Sequence, residues 1–181
     1  SFDGPYEPAK GLLFNEENVL LDPYSRAVTG QRKWGEKPEG GKDFEYRARV
    51  VKSSFDWGNI KQLEQPFEDL VIYETHVRGY TKDKSSGVSA PGTFAGLKDK
   101  IPYLKDLGIN AVELMPIFEF DEMESARVVD GVQLYNYWGY NTVSFFAPNT
   151  SYAFNEEHNH EGDELKSLIK ALKENGIEVI L

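Results

Sequence analysis

Apolar positions are unevenly patterned along this chain. Up to about Pro66 the apolar runs are short and lie among turn signals such as DGPYEPAKG, LDPYS and GEKPEGGKD. Val19-Leu20-Leu21 predicts one short strand, and the alternation over residues 46–51 predicts another. This stretch reads as an irregular, mostly β or extended segment. After Pro66 the texture changes. Leu70-Val71-Ile72-Tyr73 is an apolar run long enough for a buried strand. Phe94, Leu97, Ile101, Leu104 and Leu107 recur at spacings of three and four, which makes one helical stripe. Thr93 is placed to cap it and Gly108 to stop it. Pro102 falls inside the stripe, where the missing amide predicts a kink. Residues 109–115 predict a second buried strand, ended by Pro116. A long loop region is expected from there to about Gly162. Leu165, Leu168, Ile169 and Leu172 form a second helical stripe closed by Gly176, and residues 177–181 begin a third strand.

The order is strand, helix, strand, long insertion, helix, strand. Buried strands alternating with amphipathic helices predict an α/β fold with a parallel sheet and right-handed crossovers. The two helix-to-strand turns, LKDLGINAVEL and LKENGIEVIL, share the pattern Leu-Lys-x-x-Gly-Ile. Such units build a doubly wound sheet or a (β/α)8 barrel. No G-x-G-x-x-G follows the first strand, which counts against a dinucleotide fold. A whole barrel takes about 250 residues. The last residue falls inside an apolar strand whose edge would be exposed, so the chain is expected to be a piece of a longer protein.

Composition narrows the function classes. The 181 residues are 40% hydrophobic and 28% charged, which is ordinary for a globular protein. No apolar run approaches the length of a membrane-spanning helix. The start, SFDGPYEPAKG, has neither the basic residues nor the apolar stretch of a secretory signal, and a cytoplasmic location is expected. The chain has no cysteine, so disulfides and thiolate metal sites are excluded. A net charge of −10 repels phosphate backbones and argues against a nucleic-acid partner. Neutral ligands meet no such penalty. Aromatic residues reach 13%. Tyr and Trp join an apolar face to a polar tip, which suits sugar sites as well as cores.

Asn136-Tyr137-Trp138-Gly139-Tyr140-Asn141 crowds three rings and two amides around one glycine. The rings suit either a core or a platform for a flat polar ligand such as a sugar. Asn136 and Asn141 can bond loop backbone or sugar hydroxyls, turn stabilisation being the commoner use. Glu74, His76 and Arg78 alternate, so on a strand they share one face. Glu and Arg can then pair if buried, and a supporting role is expected of them rather than catalysis. His158-Asn159-His160-Glu161 has a His-x-His spacing found in metal sites. Its neighbours Asn155, Glu156, Glu157 and Gly162 make it read as a solvated loop. Asp121-Glu122-Met123-Glu124 offers oxygens to calcium without a recognised spacing, so no cofactor is assigned. The Asn149-Thr150-Ser151 sequon is read as chance.

In order along the chain, a set of motifs carries a resemblance. They are Asp3-Gly4-Pro5-Tyr6-Glu7-Pro8-Ala9-Lys10-Gly11, Leu20-Leu21-Asp22-Pro23-Tyr24, and Val71-Ile72-Tyr73-Glu74-Thr75-His76-Val77-Arg78-Gly79-Tyr80-Thr81. Ala111-Val112-Glu113-Leu114-Met115-Pro116 follows, then NYWGYN with Thr142, Phe145-Phe146-Ala147-Pro148, and Gly176-Ile177-Glu178-Val179-Ile180-Leu181. Over nearly its whole length the chain resembles the debranching enzymes of the α-amylase superfamily, isoamylase and the bacterial glycogen debranching enzyme. Type I pullulanases share much of the pattern, but their loop usually has Asp-Pro after Trp-Gly-Tyr, where Asn141-Thr142 stands here.

The resemblance implies a partial (β/α)8 TIM barrel, its first three strands, over residues 67–181. Residues 1–66 would be the end of an N-terminal carbohydrate-binding-type β domain and its linker. It implies hydrolysis of α-1,6 branch linkages in glycogen, amylopectin or limit dextrin, by a retaining mechanism with paired carboxyl groups. The family carries those groups after strands four, five and seven, so this chain alone is expected to be inactive. Tyr140 matches the family's tyrosine that stacks on the sugar at the cleavage subsite. Trp138 belongs to the platform or packs beneath it, and Tyr137 is expected to pack. A non-catalytic glucan-binding or regulatory homologue, and a pullulanase or branching-type relative, stay open as alternatives.

Overall fold

The structure is a computed structural model and describes residues 4–15, 20–30, 32–36, 46–155, 157 and 159–181. The first described segment is a small hairpin. Strand β1 (Tyr6–Glu7) pairs antiparallel with β2 (Leu12–Leu13). Of the strand expected at 19–21, Val19 lies outside the described residues, and Leu20 and Leu21 join no sheet. The strand expected at 46–51 is reduced to one bridge, Val28 opposite Ala48. Two backbone bonds flank it, Thr29 N–H to Arg47 C=O and Arg49 N–H to Ala27 C=O, both 2.8 Å.

From residue 72 the order becomes regular. Strand β3 (Ile72–Thr75) leads into a short helix, α1 (Val77–Thr81). Helices α2 (Phe94–Lys98) and α3 (Ile101–Asp106) then precede β4 (Ala111–Leu114). Thr93 caps α2 as expected: its hydroxyl oxygen accepts from Gly96 N–H at 3.1 Å and donates to Ala90 C=O at 2.8 Å. The single helix expected over 94–107 is in fact two, parted at Asp99 and Lys100. Pro102 sits in the first turn of α3, where its missing amide has no helical acceptor to lose. It therefore starts a helix instead of kinking one. Leu107 lies past the end of α3 and is exposed, off the apolar stripe.

The long loop region contains paired strands. Strand β5 (Phe118–Phe120) runs antiparallel to β8 (Thr142–Pro148), with register shifts on both sides of Glu119. Between them β6 (Arg127–Val129) and β7 (Val132–Leu134) form an exposed hairpin. Its turn is Asp130-Gly131, both at positive φ (50° and 79°), the pair that two-residue hairpins favour. Helix α4 (Glu161–Glu174) and strand β9 (Glu178–Ile180) complete the chain.

The main sheet is parallel in the order β3-β4-β9, with Ile72 opposite Ala111 and Ala111 opposite Glu178. Central β4 is buried at Ala111, Val112 and Leu114. Strand β3 lies at the edge, which leaves Val71 and Ile72 exposed where a buried strand was expected. Leu97, Leu104, Val112, Leu168, Leu172 and Ile177 share one core, which extends through Ile117 and Phe120 to Tyr152. Among the described residues no helix is long and apolar enough to cross a membrane.

Candidate functional site

The loop at 136–141 follows β7 and leads into β8, and its backbone is held at three successive points. Asn136 N–H donates to Glu122 C=O at 2.9 Å. Tyr137 lies flat on the His76 imidazole, with centroids 4.2 Å apart and planes 10° from parallel, and its C=O is 2.8 Å from His76 Nε2. Gly139, buried at φ 78°, rests on Phe120: a Cβ there would fall 2.5 Å from the ring. The side chains of the two asparagines serve the loop. Asn136 Oδ1 accepts from Gly139 N–H at 3.4 Å, and the Asn141 amide donates to the Glu124 carboxylate.

His76 joins this loop to the end of β3. The strand stops at Thr75, and His76 caps α1 by accepting from Gly79 N–H at Nδ1, 3.0 Å away. An acceptor at Nδ1 puts the ring hydrogen on Nε2, which donates to Tyr137 C=O. The Tyr152 hydroxyl lies 3.2 Å from the same nitrogen. Burial lowers the His76 pKa and outweighs the bond to Tyr137 C=O; the Arg78 charge lowers it further. Burial and the Nδ1 acceptor role both favour the neutral ring in the fold. Glu74, His76 and Arg78 do not share a strand face as expected. Only Glu74 is on the strand, and it is exposed; His76 and Arg78 belong to the helix that follows.

The rings of the loop divide. Tyr137, expected to pack, stacks on His76 and is 39% exposed. Tyr140 is 70% exposed and Trp138 57% exposed, and Trp138 meets only the edge of Tyr137 among described rings, at 5.6 Å. Two large aromatic faces thus stand in solvent on a tethered backbone. Phe120, Tyr152 and Trp34, which support the loop, carry no expectation from the sequence, and Glu122 was expected only as a calcium oxygen. Glu122 is buried, and its carboxylate accepts from Gly35 N–H at 2.9 Å. Burial raises its pKa. Burial likewise raises that of Tyr152. Only the chain reversal at Asp130-Gly131, which sets up the loop, was signalled locally.

The other candidates are occupied or apart. His158 lies outside the described residues. His160 pairs with Glu157 at 3.2 Å, whereas Glu161 is buried against Arg49 at 3.6 Å, so it is no part of a solvated loop. Asp121 Oδ1 accepts from Met123 N–H at 2.8 Å, and Glu122 and Glu124 are engaged as described. Among the described residues no group of three His, Asp or Glu side chains converges. Asn149 of the sequon is buried, and its Oδ1 accepts from Ser151 N–H and Oγ at 2.9 and 2.6 Å.

The family described as alpha-amylase, catalytic domain, matches residues 50–181. The chain belongs to the α-amylase family. Isoamylase 1, chloroplastic, of Arabidopsis thaliana is 40% identical over 99% of this chain, and the glycogen debranching enzyme of Yersinia enterocolitica is 38% identical over 98%. The chain spans about a quarter of the length of these relatives, 24% and 28%. A pullulanase type I from Bacillus subtilis, solved in complex with maltose, matches with a TM-score of 0.67 at 27% identity, over 88% of this chain and 22% of that one. In this family fold, of the (β/α)8 type, functional loops gather at the C-terminal ends of the parallel strands. His76, the residue after β3, places NYWGYN at that end.

Proposed function

We propose that this chain is the front part of the catalytic barrel of a glycoside hydrolase that cleaves α-1,6 branch linkages of glycogen- or starch-type glucans. Residues 67–181 supply its first three strands, and residues 1–66 are the end of a carbohydrate-binding-type β domain and a linker. The observation that carries the reading is the tethered NYWGYN loop with Tyr140 and Trp138 exposed beside the end of β3. It occurs in a chain 40% identical to an isoamylase across its length.

The chemistry of these residues is to bind and orient. A pyranose has an apolar C–H face and a polar rim, so a fixed tyrosine ring can cover the face while the rim stays hydrated. Tyr140 is the stacking ring and Trp138 widens the platform. Asn136 and Asn141 set the turn, which leaves them a secondary part in contacting hydroxyls. Retaining hydrolysis needs a nucleophilic carboxylate and a carboxylic acid about 5–5.5 Å apart. The buried carboxylates near the loop are committed elsewhere. Glu119 accepts from Thr150 N–H and Oγ1 at 2.7 and 3.2 Å, and Glu122 from Gly35. Neither is assigned to the reaction, and the chain alone is expected to be inactive. A cytoplasmic setting belongs to this reading; the Arabidopsis relative is named as chloroplastic.

The test is calorimetric titration of the chain with branched limit dextrin, for the wild type and Tyr140→Ala. Covering one aromatic ring corresponds to about 1.5–3 kcal/mol, roughly a ten- to hundredfold loss of affinity in the variant. Equal affinity would remove Tyr140 from the site.

A further inference from the structure

We infer that Trp34 is a positioning residue for the Tyr140 platform, supplied by a segment that precedes the catalytic-domain match at residue 50. The inference rests on the reading of Tyr140 as a sugar-stacking ring. Trp34 is half-buried, and its ring meets the supports of the loop. It stands edge-on to Tyr137 at 6.1 Å and to Phe120 at 5.9 Å. Tyr137 is part of the loop, and Phe120 is the surface on which Gly139 rests. Trp34 also lies parallel to Tyr152 at 6.4 Å, with planes 13° apart, and Tyr152 in turn reaches His76. The Arg78 guanidinium sits over the indole, 4.6 Å from its centroid. The cap of α1, His76, thus stacks on Tyr137, and Arg78 within α1 lies over Trp34.

The next residue completes the contact. Gly35 N–H donates to Glu122 Oε1 at 2.9 Å, and Glu122 C=O accepts from Asn136 N–H at 2.9 Å. One dipeptide, Trp34-Gly35, therefore touches each element that holds the loop backbone. Trp34 is not itself a platform, since its ring is taken up by Arg78 and Tyr152. Its effect on a sugar passes through Tyr137 and Phe120, which fix where the backbone presents Tyr140. The segment ahead of the barrel unit is on this view part of the sugar site, not only a connection to it.

The test compares wild type, Trp34→Leu, Trp34→Phe and Tyr140→Ala in the full 181-residue chain. Two quantities are measured: amide hydrogen exchange at Asn136 and Gly139 relative to Leu168 and Leu172 in α4, and affinity for maltoheptaose. Losing the edge-on ring contacts should speed loop exchange about tenfold in Trp34→Leu with α4 unchanged. Maltoheptaose affinity should fall about three- to tenfold, and Trp34→Phe should recover most of both effects. Unchanged loop exchange overturns the inference. So does acceleration shared equally by α4, which would mark Trp34 as general packing, or a Phe variant as impaired as Leu. If Tyr140→Ala leaves affinity unchanged, the sugar reading falls, while loop exchange still decides whether Trp34 positions the loop.

Discussion

Gly139→Ala tests whether the NYWGYN backbone is held by contact with Phe120. Gly139 has φ 78°, and an added Cβ would lie 2.5, 2.7 and 3.0 Å from three carbons of the Phe120 ring. That ring is fully buried and belongs to the core. Gly131, in the β6–β7 turn, is the control: its φ is 79°, and a Cβ there meets nothing within 4 Å. Both substitutions put an L side chain in the left-handed region, at a cost of roughly 1–2 kcal/mol. Both also restrict the unfolded chain to a similar degree, which offsets part of that cost. Only Gly139→Ala must displace a core ring by about 1 Å from a normal carbon–carbon contact, and overpacking of this kind costs about 1–3 kcal/mol. Gly139→Ala should therefore be about 1–3 kcal/mol less stable than Gly131→Ala. Urea unfolding of both variants, with slopes checked for equality, measures the difference. Values within about 0.5 kcal/mol of each other would refute the contact as a structural anchor.

Three further outcomes are expected. Tyr140→Ala should change folding stability by less than about 0.5 kcal/mol, because the ring is 70% exposed; a larger loss in urea unfolding would show that Tyr140 is packing, not platform. Thr93→Ala removes the cap of α2 and should cost about 1–2 kcal/mol by the same assay, and a cost near zero would mean that the cap bond is replaced by water. His76 titrates below its ordinary value of 6.5 when folded, by burial and then by the Arg78 charge, with Tyr137 and Tyr152 as its other facing groups. The unfolded chain therefore takes up the proton first. Stability from the neutral ring is fully present above pH 6.5 and is lost as pH falls through the lowered folded value. Between pH 7.5 and 5 the wild type should lose more stability than His76→Gln, and parallel profiles would contradict the neutral-ring assignment.

The parallel sheet and its crossing helices were legible because central β4 is a short apolar run buried on both faces and each helix buries one stripe. Where the pattern failed, the cause is local. Val71 and Ile72 read as buried, but β3 is the edge of the described sheet. The stripe over Phe94 to Leu104 hides the two-residue break at Asp99-Lys100, since both helices turn the stripe toward one core. Pro102 was visible, but its sequence position alone does not separate a kink from a first turn. Strand β8 escaped notice because Phe145 and Phe146 are both exposed, which breaks the alternation, and because its register with β5 is irregular. Asp130-Gly131, in contrast, is an ordinary hairpin signal that a loop reading overlooks.

The NYWGYN loop shows why residue type alone could not choose between core and platform. A stacking ring must be exposed and yet held still, since each side chain or loop ordered on binding subtracts from affinity. Composition reports only the rings. What holds them still is the backbone: the Asn136 N–H, the Tyr137 C=O and the α-carbon of Gly139. Their partners are Glu122, His76 and Phe120, and Trp34 packs against this set from a distant part of the sequence. Glu122, His76 and Phe120 are buried, and Trp34 is half-buried. On this structure, substitutions at Tyr140 or Trp138 remove contact area and leave the loop in place. Substitutions at His76, Phe120 or Trp34 leave the contact area and release its orientation. The two classes separate experimentally, because only the second changes amide exchange in the loop when no sugar is present.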